Sequence, residues 1–322
     1  MGIQLQPEAG AVAGDACPMT VMSWDGDALA VTDAATGQSL RLTPATLYSY
    51  TYDQHITVSF NNTEWRPVHG LAVLDADGLV MLDLPGSWQF EHLADFAEHA
   101  GIPLVDARAD SFNEVRTVLA ARAPGWRRLR GLTPPSPARY RKPLAVGVGV
   151  AGLAVMVYLA STGMWMAWRG ISTVGRVLLD VLEVKWLAVA FSPVLLFLSP
   201  VSSRIRRWRA DRGLILGSTG GAHLSVRSDE KIRIGRGKES TLDIEIGERA
   251  GDASSLLLYR YEDLTGLFIL DNRGEPVHHL PGHWLPDAVN RFASRHELPL
   301  AMHSISREEY LTLARACRSA TP

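Results

Sequence analysis

Short apolar segments separated by turn residues fill most of this chain, and two long uncharged runs interrupt them near the middle. In the first half, residues 20–23, 28–32, 39–42, 47–52 and 55–60 are short runs that predict strands. In the second half, residues 214–216, 223–226, 231–234, 242–246 and 255–261 do the same. An apolar run at 71–74, a turn at 75–78 and a return run at 79–82 then predict a hairpin, and a second hairpin turns through 271–274. A Pro-Gly corner follows each hairpin, where glycine is free to take positive φ. After the first corner, Phe90, Leu93, Ala94, Phe96, Ala97 and Ala100 recur at helical spacing. After the second, Pro286 suits a first helical turn, and Val289, Phe292 and Ala293 continue its apolar face. Further helices are predicted over 112–121 and 307–317.

The two halves are related by a constant offset. Shifting by 196 positions, from Pro85 to Pro281, aligns Gly70, Leu71, Leu74, Asp75 and Gly78 with Gly266, Leu267, Leu270, Asp271 and Gly274. It also aligns Leu84, Pro85, Gly86 and Trp88 with Leu280, Pro281, Gly282 and Trp284. Phe96, Ala97, Pro103 and Leu104 likewise meet Phe292, Ala293, Pro299 and Leu300. Chance matching of apolar positions does not readily reproduce the Gly, Asp, Pro and Trp punctuation as well. The chain therefore reads as a duplicated module, with Gly78, Pro85, Gly86, Trp88 and their counterparts marking the register. Asp75 and Asp271 sit where an aspartate bonds the backbone of its own turn, so their recurrence needs no catalytic explanation. About seven strands precede the helix in each copy. Seven strands closed by one helix resembles the pleckstrin-homology-like fold, and that resemblance implies binding modules rather than catalysts.

The middle of the chain carries a different signal. Residues 143–168 and 186–203 contain no charge, and the first run exceeds the roughly 30 Å of a bilayer's hydrocarbon core. Basic residues flank them: Arg127, Arg128, Arg130, Arg139, Arg141 and Lys142 before, Arg204, Arg206, Arg207 and Arg209 after. Positive charge marks the cytoplasmic side, and Trp165, Trp168 and Trp186 fit an aromatic belt. The expectation is an α+β protein with a transmembrane helical hairpin and two duplicated antiparallel β-rich modules, each closed by a C-terminal helix. Its parts are a disordered tail (1–19), module copy 1 (20–121), a basic proline-rich neck (122–142), the hairpin (143–203), a second basic neck (204–212) and module copy 2 (213–318). This places it as a multi-pass protein of a bacterial cytoplasmic membrane, with both termini cytoplasmic and anionic lipid against the necks. The Ala-, Arg- and Gly-rich usage resembles an actinobacterial-type integral membrane protein. Gly147, Gly149 and Gly152 match a dinucleotide fingerprint, but close helix packing within an uncharged run explains them better.

Charge and chemistry add little that is specific. The net charge of −2 gives no global pull toward nucleic acid. Cys17 and Cys317 are too far apart to form a disulfide framework or metal cluster. His278, His279 and His283 are the weak metal candidates, without a cysteine or acid at ligand spacing. No catalytic motif and no cofactor fingerprint in context occurs. The sequence thus points to a non-enzymatic scaffold whose modules bind a protein partner, lipid or each other. A regulatory subunit of an oligomeric channel or transporter is the alternative.

Overall fold

The computed structural model describes residues 3–59, 62–132, 158, 208–209, 212–217, 222–226, 230–236 and 239–319. These residues are mostly β, in four sheets, with four short helices. Among them no helix is long and apolar enough to cross a membrane. This overturns the α+β fold with a transmembrane helical hairpin, and with it the multi-pass membrane placement. Apolarity and basic flanks alone carried that expectation, and both runs, 143–168 and 186–203, lie outside the described residues apart from Tyr158.

Two further expectations change. Residues expected as a disordered tail belong to the fold: β1 (Gln4–Leu5) pairs with β2 (Thr20–Trp24), and the Glu8 N–H bonds the Ser87 carbonyl at 2.8 Å. The first part of the expected neck is β9 (Arg122–Arg128), paired in parallel with β7 (Val80–Pro85).

The first half opens with an antiparallel sheet of β1, β2, β3 (Leu29–Asp33) and β4 (Gln38–Leu42). Strands β5 (Thr46–Ser59), β6 (Asn62–Leu74) and β7 form a second meander. Helix α1 (Phe90–Ala100) follows, then β8 (Leu104–Ala107) parallel to β5, helix α2 (Phe112–Ala120), and β9. The second half repeats this order. Strands β10 (Ile215–Gly217), β11 (Ala222–Val226), β12 (Lys231–Arg236) and β13 (Glu239–Glu245) make its first sheet. Strands β14 (Ser255–Tyr261), β15 (Leu264–Leu270) and β16 (Pro276–Pro281) make its second. Then come α3 (Pro286–Arg295), β17 (Leu300–Ser304) parallel to β14, and α4 (Arg307–Ser319). The modules are therefore neither purely antiparallel nor closed by a single helix.

The two cores share their central positions. In copy 1, Met22 and Val31 face Leu71, Val73 and Leu84 across the two sheets, and Leu93, Phe96 and Ala97 of α1 fill the space between. In copy 2, Leu224 and Ile232 face Leu267, Ile269 and Leu280, with Val289, Phe292 and Ala293 of α3. Spacing of three and four residues puts each helix trio on one face, and each large side chain buried this way contributes about 1.5–3 kcal/mol.

The repeated punctuation has a physical reason at each position. Asp75 Oδ1 accepts from the Asp77 and Leu79 N–H groups at 2.9 and 2.8 Å; Asp271 Oδ1 accepts from Arg273 and Glu275 at 2.9 Å each. Gly78 (φ 77°) and Gly274 (φ 79°) complete these turns in the left-handed region. At the corners, Trp88 Nε1 donates to the Leu84 carbonyl at 3.2 Å, and Trp284 Nε1 to Leu280 at 3.0 Å. Each tryptophan thus pins the strand-to-helix step while its ring packs in the core. Gly70 and Gly266 stand opposite Tyr50 and Tyr259 on the neighbouring strands, and each tyrosine ring lies over its glycine.

Two differences between the copies lie in their second sheets. The offset is 196 residues at Leu74 and Leu270 but 209 at their partners Thr46 and Ser255, so the first β5–β6 hairpin carries 13 extra residues. In copy 1 the Val80 N–H bonds the Ala121 carbonyl beside β9 at 2.8 Å; its counterpart is Pro276, which has no N–H.

Two outcomes are expected. A Cβ at residue 266 would lie 2.6 Å from the Tyr259 ring, so Gly266→Ala, like Gly70→Ala, should destabilise by about 2 kcal/mol or more in urea titration. For Asp271, burial opposes ionisation but the N–H groups of Glu275, Arg273 and Gly251 outweigh it and lower its pKa. Its stabilisation is present above the ordinary carboxylate range and is lost as pH falls through the lowered value. Asp271→Asn should therefore flatten the pH dependence of stability below about pH 4 and cost about 1–2 kcal/mol at neutral pH.

Candidate functional site

The tyrosines over the glycines lead to a buried polar position in each copy. The Tyr50 hydroxyl donates to Asp83 Oδ1 at 2.7 Å, and Arg128 Nε lies 3.1 Å from Asp83 Oδ2. The equivalent Tyr259 hydroxyl is hydrogen-bonded to His279 Nε2 at 2.8 Å. Residues 83 and 279 correspond, so one position in the fold holds an aspartate in copy 1 and a histidine in copy 2. Burial, chiefly, and Asp83 next raise the Tyr50 pKa well above its ordinary value. Burial first, then the charges of His278 and Arg122, keep His279 neutral with its pKa well below the usual imidazole range.

His279 lies at the seam where the copies meet. Its ring stacks on Phe268 at 4.2 Å and meets Tyr310 of α4 edge-on at 6.1 Å. The Tyr310 hydroxyl accepts from the Arg122 N–H and donates to the Arg122 carbonyl, both at 3.0 Å, and so clamps α4 to β9. The Arg122 guanidinium lies over the Trp126 ring at 3.6 Å. Burial disfavours its charge, while Tyr259, Asp83 and Tyr310 oppose that effect. Leu79, Ala121 and Ala123 of copy 1 pack with Tyr261, Ile305, Tyr310 and Ala314 of copy 2. At the rim, the Gly125 N–H donates to the Asp263 carboxylate at 3.1 and 3.0 Å, and Asp77 pairs with Arg307 and Arg315.

A small pocket opens beside this clamp, between α2 and β16. Arg116, Thr117 and Ala120 line it from copy 1, and Val277, His278, His279 and Cys317 from copy 2. His278 Nε2 is buried without a hydrogen-bond partner, and burial with the Arg116 charge lowers its pKa to about 3. Burial pushes the Cys317 thiol up to about 12, which removes it as a nucleophile at neutral pH.

Of the three histidines, His279 is buried and its neighbour His278 on β16 is half-buried, whereas His283 is exposed at the corner. Among the described residues no group of three or more His, Cys, Asp or Glu side chains could hold a metal. Arg127 and Arg130 are exposed, Arg128 pairs with Asp83, and Arg209 is exposed. Arg139, Arg141, Lys142, Arg204, Arg206 and Arg207 lie outside the described residues. The clamp residues escaped the sequence reading. Tyr50 and Tyr259 align only at the 209 offset, beyond the extra hairpin residues. In the last helices Ser111 and Ser306 occupy equivalent capping positions, so the offset there is 195 and Tyr310 replaces Val115. No known protein family, curated protein or solved structure matches this chain.

Tyr310→Phe keeps the ring but removes both bonds to Arg122, and leaves a buried N–H and carbonyl unpaired. It should lower stability by about 1–3 kcal/mol, read from the urea midpoint of the intact chain.

Proposed function

We propose that the protein is a non-catalytic interaction scaffold, in which two pleckstrin-homology-like modules bind each other and present a rigid pair to a protein partner. The observation that carries this reading is the Tyr310–Arg122 clamp, which fastens one copy to the other through backbone groups. Side chains with catalytic character are committed to structure: Asp75 and Asp271 to their turns, Asp83 to Tyr50 and Arg128, His279 to Tyr259. The order of four strands, three strands and a helix wedged between the sheets supports the pleckstrin-homology-like assignment. The parallel strand and second helix of each copy are departures from it.

The surface offered to a partner is the outer edge of the second sheets. Strands β8 and β17 are edge strands, with Val105 and Met302 exposed. An extended peptide can add to such an edge through backbone hydrogen bonds. Val105→Lys with Met302→Lys should lower partner cross-links to the intact chain at least tenfold in its native extract, without changing its unfolding midpoint. Undiminished cross-linking would sink the edge assignment, and turnover of a small molecule by the purified chain would sink the non-catalytic one. The exposed guanidiniums of Arg127 and Arg130 favour a second reading, contact with an anionic lipid surface, at about 1 kcal/mol per nearby arginine. Sedimentation with phosphatidylserine vesicles, compared with Arg127→Glu/Arg130→Glu, separates the two.

A further inference from the structure

We infer that the seam is an acid-opened joint, in which protonation of His279 breaks the Tyr310–Arg122 clamp and frees the two modules from each other. The inference goes beyond the scaffold reading and does not depend on what the scaffold binds.

In the closed state the groups around the His279 ring offer a proton on it no counter-charge. It is enclosed by Phe268, Tyr259 and Tyr310, and its hydrogen-bond partner is a tyrosine hydroxyl. The titratable and charged groups around it are His278 on its own strand, Tyr259 on β14, Tyr310 and Cys317 on α4, Arg122 on β9 and Arg116 on α2. None is a carboxylate. The nearest acid in the network, Asp83, faces Tyr50, Arg128 and Arg122 from copy 1. A proton on His279 would therefore place a second cation beside Arg122 in a buried site whose surrounding groups include no carboxylate, which is costly.

Copy 1 shows what this position looks like without the switch. There Asp83 meets the equivalent tyrosine, Tyr50, and Arg128 pairs with it, so the position already holds a charge with its counter-charge. The histidine also lies on the outer face of its sheet, against α4 and the seam. The inner core of Leu267, Ile269 and Phe292 is on the other face. Opening the seam relieves the new charge without dissolving either core.

The sign follows from linkage. The closed seam holds His279 below its ordinary value, so the open state binds the proton more readily once the pH drops under about 6.5. The closed state is favoured above that value. Below it, the opening equilibrium should grow by up to about tenfold per pH unit for this one group.

The Arg122 amide reports the clamp directly, because its N–H donates to the Tyr310 hydroxyl. Hydrogen exchange on the intact chain between pH 7 and 4.5, corrected for intrinsic rates, would compare it with the Val289 amide, which bonds Leu285 within α3. Arg122 protection should fall at least tenfold more than that of Val289. In His279→Gln, whose neutral amide can still meet the Tyr259 hydroxyl, the extra loss should vanish. The rim contacts of Asp77 and Asp263 are common to the wild type and His279→Gln, so the difference between the two isolates His279. Parallel loss at Arg122 and Val289, or the same loss in His279→Gln as in the wild type, overturns the proposal. Should that variant not fold, Asp77→Asn with Asp263→Asn should keep the extra loss at Arg122, and its disappearance there overturns the proposal.

Discussion

Much of this structure depends on a tyrosine lying flat across a glycine on the next strand. Tyr50 over Gly70, and Tyr259 over Gly266, each bridge three strands: the ring crosses the second and the hydroxyl reaches the third. Only glycine leaves room for the ring, and only a ring of this length puts its oxygen on residue 83 or 279. The arrangement fixes the spacing of the second sheet and selects one position per copy as a buried polar site. What each copy places there then sets its electrostatic character.

The duplication is thus conservative inside and divergent outside. The inner cores share most positions, since both are filled by the same wedge of helix, tryptophan and strand side chains, although Leu82 gives way to His278. The outer faces do not, because they meet each other rather than equivalent surroundings. Val115 suffices to fill the gap under α2, whereas Tyr310 at the same place in α4 reaches across to β9. A repeat that pairs with itself within one chain needs such asymmetry, because each copy presents a different surface to the contact.

The legible parts of this architecture were those fixed locally. Hairpin turns, Pro-Gly corners and amphipathic helices are written in a few adjacent residues, and Asp75, Gly78, Trp88 and their counterparts carry the same roles in both halves. The parallel strands β8 and β17 were not legible: each pairs with a strand far back in the chain, and nothing in four or five residues says so. The clamp was hidden for a related reason. Its members come from β9 and α4, 188 positions apart, and the repeat loses constant register on either side of the shared segment. The uncharged runs gave the strongest single signal and misled most. Length and apolarity describe a segment's solvent preference, not the fold of the β-rich remainder.

Pro276 has a consequence for how the repeat ends. In copy 1, β7 accepts β9 as a parallel neighbour, beginning with the Val80 N–H on the Ala121 carbonyl. Were β16 equally receptive, a β9 from another molecule could dock there, and head-to-tail addition of that kind has no closing contact and grows into a fibre. The proline removes the first rung, and α2 covers the strand from the side. The parallel docking that β7 accepts is therefore not repeated on β16 among the described residues.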